Sequence, residues 1–121
     1  MANPETVRRI KSYSAATGYV YQYQFQEVKP SRRGFHAGKD FIYLVSVDRK
    51  MMFPIEVFLS RDAVESWTKQ NGRPLSGTEE YAAAKMRLFQ AFDEVEDLST
   101  AGQDLRIDDS NLGALLAQLD L

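Results

Sequence analysis

Residues 19–26 read Tyr19-Val-Tyr-Gln-Tyr-Gln-Phe-Gln26, and a period of two sets Tyr19, Tyr21, Tyr23 and Phe25 on one side and Val20, Gln22, Gln24 and Gln26 on the other. Alternation of this kind belongs to an extended strand, because successive Cβ atoms there point to opposite faces. An aromatic row packed under a helix and an aromatic row offered to a ligand both fit the pattern.

Two further strands follow. Phe41 to Val47 is apolar on both faces, which places it centrally in a sheet. Met51 to Leu59 alternates Met51, Phe53, Ile55, Val57 and Leu59 against Met52, Pro54, Glu56 and Phe58, and the short Asp48-Arg-Lys50 link predicts an antiparallel hairpin. Pro54 predicts a free edge or a bulge at that point, since proline has no N–H for a ladder. Pro30-Ser-Arg-Arg-Gly34 and Ala37-Gly-Lys-Asp40 read as a glycine- and charge-rich loop between strands.

Helix signals flank the strands. Asn3-Pro4 and Gly18 bracket a short first helix over about residues 4–16, with a thin stripe of Val7, Ile10 and Tyr13. Ser60 can cap a helix to about Asn71 with Ala63, Val64 and Trp67 inward and Gly72 at its end. Ser76-Gly-Thr-Glu79 fits a capping box, and Tyr81, Ala84, Leu88, Phe92 and Val95 extend it as a helix over about 77–96. Beyond it, 97–109 reads as a polar, acidic connection with Leu98, Leu105 and Ile107 as anchors. Leu112, Leu115, Leu116 and Leu119 then recur at helical spacing, behind a cap at Asp109 or Ser110.

The resulting fold class is α+β: a three-stranded antiparallel meander covered by helices, in the order α-β-β-β-α-α, with a short amphipathic C-terminal helix. Residues 1–97 form a single domain in this reading and 98–121 an acidic segment. A central strand apolar on both faces asks for cover on both sides, from the remaining helices or from the second subunit of a homodimer.

The chain has 121 residues, 44% apolar and 26% charged, which suits one globular domain. It has no cysteine, which excludes disulfides, thiolate nucleophiles and cysteine-held clusters or zinc. Its longest wholly apolar run, Phe41 to Val45, is far short of the ~20 residues that span a bilayer, and its start has no apolar leader core. The expectation is a cytoplasmic protein that does not engage membranes. Charge is divided along the chain: residues 1–50 carry nine Lys/Arg against four Asp/Glu, 51–92 five against five, and 93–121 one against eight.

Candidate chemistry is sparse. Gly34-Phe-His-Ala-Gly38-Lys39 departs from a phosphate-cradling loop in its glycine spacing, in Asp40 where a hydroxyl belongs, and in the strand that follows it. His36 is the single imidazole and could act as a base or ligand or simply face solvent. Glu27, Asp40, Asp48 and Glu56 lie in or beside strands, where two could converge as an acid/base pair. No catalytic residue, metal site or cofactor is assigned on these grounds.

Three functional classes remain. The first is a non-catalytic binding or regulatory module acting through protein contacts, with Leu112, Leu115, Leu116 and Leu119 docking on this chain, on a second copy or on a partner protein. The second is single-stranded nucleic-acid or anion binding by Tyr19, Tyr21, Tyr23, Arg32, Arg33 and Lys39, which combine stacking faces with cations but lack an RRM-type signature. The third is a small-molecule binder or enzyme with a pocket between sheet and helices, walled by Trp67 and the tyrosines.

Overall fold

The computed structural model describes residues 9–95, 98 and 104–120. Among them are five strands, β1 (Lys11–Ser14), β2 (Val20–Arg33), β3 (His36–Val47), β4 (Phe53–Ser60) and β5 (Asp104–Ile107), and three helices, α1 (Arg61–Asn71), α2 (Gly77–Glu94) and α3 (Leu112–Ala117). The strands form one sheet in the order β1-β2-β3-β4-β5. β1 to β4 are antiparallel neighbours, and β5 returns through α1 and α2 to lie parallel to β4. The fold is therefore α+β with β3 in the middle, as its two-faced apolarity predicts, but the sheet has five strands where three were expected.

The aromatic row of β2 faces the helices. Tyr21 stacks on Phe92 with ring centroids 4.2 Å apart, Tyr23 meets Phe89 edge-on at 5.6 Å, and Phe25 meets Tyr81 edge-on at 5.1 Å. With Phe41, Tyr43, Val45, Ile55, Val57 and Leu59 they form the sheet side of a core closed by Ala63 and Trp67 of α1, by Ala84, Leu88 and Phe92 of α2, and by the leucines of α3. Leu98, Leu105 and Ile107 belong to the same core. The opposite face of β3 carries Ile42 and Leu44, which are half-buried, and buried Ser46.

The predicted first helix is corrected in its described part, because residues 11–14 are a strand. Lys11 pairs with Tyr23 and Ser14 with Val20, so β2 satisfies their backbone groups. Tyr13 stacks on Phe89 at 4.4 Å and donates its hydroxyl to Asp93 Oδ2 at 2.7 Å, anchorage that a helix lying on the rim would forgo. Gly18 closes the β1–β2 turn by donating to Ala15 O. Asn3 and Pro4 lie outside the described residues.

The loop expected over 30–40 is also corrected: it is the distal half of a long β2–β3 hairpin, paired from Lys29↔Asp40 to Arg33↔His36. Gly34 and Phe35 make its two-residue turn, with positive φ (62°) confined to Gly34, as in a type II′ turn. Hydrogen-bonded pairs alternate back from the closing Arg33↔His36 pair, which puts Pro30↔Lys39 in a non-hydrogen-bonded position. The Pro30 nitrogen therefore faces the β1 side of β2, beyond the Lys11↔Tyr23 pair at which β1 begins, where no described strand pairs with it.

Elsewhere prediction and structure agree more closely. α1 ends at Gly72 and α2 starts with the full Ser76/Glu79 capping box. α2 ends at Glu94 with Val95 as an extended C-cap, a little short of the expected residue 96, which itself lies outside the described residues. β4 begins at Phe53, which leaves Met51 exposed, and Pro54 lies outside the β4–β5 ladder of Glu56–Leu59. Residues 104–107, read as connection, form β5. α3 is preceded by Asn111 in place of the expected Asp109 or Ser110 cap.

Candidate functional site

The distal hairpin is held by one guanidinium. Arg33 Nη2 donates to Asp40 Oδ1 and Asp104 Oδ1, each at 2.9 Å, and to Glu56 Oε2 at 3.3 Å, while Nε donates to both Asp104 oxygens at 3.2 Å. Arg33 belongs to β2, Asp40 to β3, Glu56 to β4 and Asp104 to β5, so a single side chain ties four strands together on the face away from the helices. Strand alternation brings them to that face: Lys29, Ser31 and Arg33 share it on β2, and register places Asp40 opposite Phe58 and Glu56 opposite Asp104.

Burial is uneven across this cluster. Asp40 is 3% exposed, whereas the Glu56 and Asp104 side chains are 46% and 51% exposed. Hydrogen bonding to Asp104, then to Asp40, raises the Arg33 pKa above its ordinary value against the burial that opposes it. The guanidinium also stacks over the Phe58 ring at 4.8 Å, and that ring lies on Gly38. A Cβ at Gly38 would overlap the Leu59 carbonyl and the Phe58 ring, so glycine is required there for space.

The β3–β4 ladder ends at the Gly38↔Ser60 pair, and the β2–β3 hairpin continues past it to the Gly34-Phe35 turn; this distal half, residues 28–39, is called the arm. Phe35 at its tip is 100% exposed, and Val28 on the helix-side face is half exposed. The same face carries Pro30, Arg32, Ala37 and Lys39, and Lys39 Nζ donates to Glu80 Oε1 of α2 at 2.8 Å. A cleft of about 330 Å³ separates this part of the arm from the start of α1.

A second cleft, of about 160 Å³, opens where the parallel strands β4 and β5 end. His36, Ser60, Asp62 and Arg106 line it, with His36 Nδ1 3.7 Å from Asp62 Oδ2, beyond hydrogen-bonding distance, and both side chains largely exposed. Among the described residues no group of three or more His, Cys, Asp or Glu is placed to hold a metal ion.

Of the four carboxylates considered for acid/base chemistry, Asp40 and Glu56 do converge, but on Arg33 as ion-pair partners. Asp48 instead accepts from Val20 N in the β1–β2 region. Gly34 to Lys39 forms strand and turn, with no helix N-terminus behind it. Tyr21 and Tyr23 lie buried beneath α2, with Tyr19 packed at the margin of the core, and burial raises the Tyr23 pKa. Arg33 and Lys39 are engaged by carboxylates, while Arg32 is exposed on the arm.

Leu112, Leu115 and Leu116 are buried in this chain's own core, and Leu119 packs partly against it. Trp67 joins the same core, with Arg73 stacked over its ring at 5.0 Å. Asp104 and Phe35 escaped the sequence reading. Asp104 meets Arg33 through a register no local pattern encodes, whereas Phe35 follows from reading 29–40 as a hairpin around Gly34-Phe35.

No family model matches the chain, and neither a curated protein nor a solved structure matches it.

Proposed function

We propose that this protein is a non-catalytic binding module that contacts a protein partner through the β2–β3 arm. The observation that carries the reading is Phe35, a large aromatic side chain left wholly exposed at the tip of a hairpin that Arg33 fixes to β4 and β5. An exposed aromatic on a rigid support loses little conformational entropy when it is buried, which is the property of an interface anchor. The leucines of α3 pack on this chain's own core, one of the dockings the sequence offered for them, and the arm is therefore the surface taken here for a partner.

A protein contact is favoured over single-stranded nucleic acid by what the arm presents. With Tyr21 and Tyr23 covered, base stacking would fall to Phe35 and partly covered Tyr19 alone, although Lys29, Arg32 and Arg61 remain exposed beside the paired Arg33 and Lys39.

The test is photo-crosslinking in cells with p-benzoylphenylalanine replacing Phe35, beside a control replacing exposed Lys69 on α1. The expected result is a discrete protein adduct at 35 and none at 69. The captured protein, once purified, should bind the full chain and lose at least tenfold in affinity to a Phe35→Ala variant of unchanged melting temperature. Adducts equal at both positions, adducts with nucleic acid, or unchanged affinity in the variant would refute the reading.

A further inference from the structure

We propose that the cleft between the arm and the start of α1 binds an acidic peptide segment offering two carboxylates, an inference that rests on the arm being the contact surface. The cleft has two lobes that share Gly38 and Arg61. The larger, about 330 Å³, is bordered by Pro30 and Arg32, and the smaller, about 90 Å³, has apolar Leu59 and Val64 beside the Lys39–Glu80 ion pair.

Its charges are unbalanced. Lys39 is matched by Glu80, which leaves Arg32 from β2 and Arg61 from α1. Neither side chain has a hydrogen-bond or ion-pair partner among the described residues. Two guanidinium groups without partners border one concavity, and each presents a planar fork that fits a carboxylate through two hydrogen bonds. A ligand with two spaced carboxylates satisfies both forks. Val28 and Phe35, exposed on the same arm, offer contact to an apolar side chain of such a segment.

The surroundings favour separate carboxylates over a continuous phosphate backbone. Exposed Asp62 follows Arg61 directly, so a polyanion tracking the surface past Arg61 would meet like charge. The residues lining both lobes include no aromatic ring on which a base could stack.

The test uses fluorescence anisotropy on the full chain with three labelled probes: an octapeptide of glutamate and leucine, the same peptide with glutamine for glutamate, and an oligothymidylate of eight nucleotides. The glutamate peptide is expected to bind with an affinity that falls as salt rises, and to lose at least tenfold to Arg32→Glu and to Arg61→Glu. The other two probes should bind at least tenfold more weakly. Both side chains are exposed and without described partners, so melting temperatures should stay within 2 °C or so of the parent.

Absence of binding, equal binding by the glutamine peptide, affinity insensitive to both variants, or tighter binding of the oligonucleotide would each overturn the proposal. Self-association abolished by Arg61→Glu would assign the cleft to a second copy and overturn it too. A crosslink at position 35 that persists in Arg61→Glu alongside a failed peptide titration would reject the acidic ligand while leaving the arm as contact surface; loss of the position-35 contact itself would reject both.

Discussion

Replacing Arg33 with methionine keeps an unbranched apolar stem against Phe58 and removes the guanidinium. What remains is Asp40, 3% exposed, without the cation that Nη2 placed 2.9 Å from it. Removing one partner of a buried ion pair costs about 3–5 kcal/mol, because the surviving charge stays desolvated. Glu56 and Asp104, both near half exposed, each add at most ~1 kcal/mol. The expected loss is about 3–4 kcal/mol, with the lower end favoured because Arg33 itself no longer has to be desolvated. For a chain of this length 1 kcal/mol moves the melting temperature by roughly 4 °C, so Arg33→Met should melt about 12–16 °C lower.

The informative comparison adds Asp40→Asn. If the penalty is the stranded carboxylate, the double variant should regain about 2 kcal/mol over Arg33→Met, and urea titrations followed by circular dichroism would measure both. A loss below about 1 kcal/mol in the single variant, or a double variant no more stable than the single, would refute the view that Arg33 serves mainly to neutralise Asp40.

Other substitutions probe separate parts of the fold. Gly38→Ala forces a methyl group into the Leu59 carbonyl and the Phe58 ring and should cost about 3 kcal/mol in urea unfolding; an unchanged midpoint would show that β4 can move aside freely. Asp48 and Arg49 both hold positive φ, 52° and 61°, in the turn closed by Lys50 N donating to Val47 O, so Arg49→Gly should raise stability by about 0.5–1 kcal/mol in the same assay, and a fall would contradict it. Leu115→Ala should cost about 2–5 kcal/mol and lower the midpoint of one cooperative transition, whereas a separate early transition would mean that α3 melts alone. Arg73 above all, with help from the Ser76 backbone, depresses the Glu79 carboxyl from 4.5 to about 2, so its stabilisation is complete above pH 4.5 and disappears as pH falls towards 2. Glu79→Gln should therefore lower the melting temperature above about pH 4.5 and flatten the profile below it, the two proteins converging towards pH 2; an equal acid slope in the variant would place the sensitivity in other carboxylates.

Features encoded over a few neighbouring residues were legible in the sequence. The aromatic alternation of 19–26, the capping box at Ser76 and Glu79, and the glycine after Asn71 each specify their element locally, and the structure has all three. Elements whose stability comes from distant partners were not. β1 and β5 are four residues each, too short to show a period, and become strands only through β2 and through β4. Pro30 argued for a loop because its tolerance depends on β1 beginning only opposite Tyr23, a fact of register. The candidate site divides in the same way: Arg32 and Arg33 stood out as charges, but their different fates follow from alternation, which turns Arg33 into the carboxylate cluster and leaves Arg32 on the cleft side.

The parallel pairing of β5 with β4 also bears on the order of folding. The antiparallel strands can zip from their turns, each contact bringing the next close, but β5 must find β4 after the whole of α1 and α2 has intervened, and such non-local pairing is slow. Leu105, Ile107, Leu112, Leu115 and Leu116 all arrive with that step, and until then the apolar side of the sheet and α2 has no lid at one end. During synthesis the first 95 residues would thus wait as a sticky intermediate, and a chain cut short before Asp104 should aggregate instead of settling as a smaller stable unit.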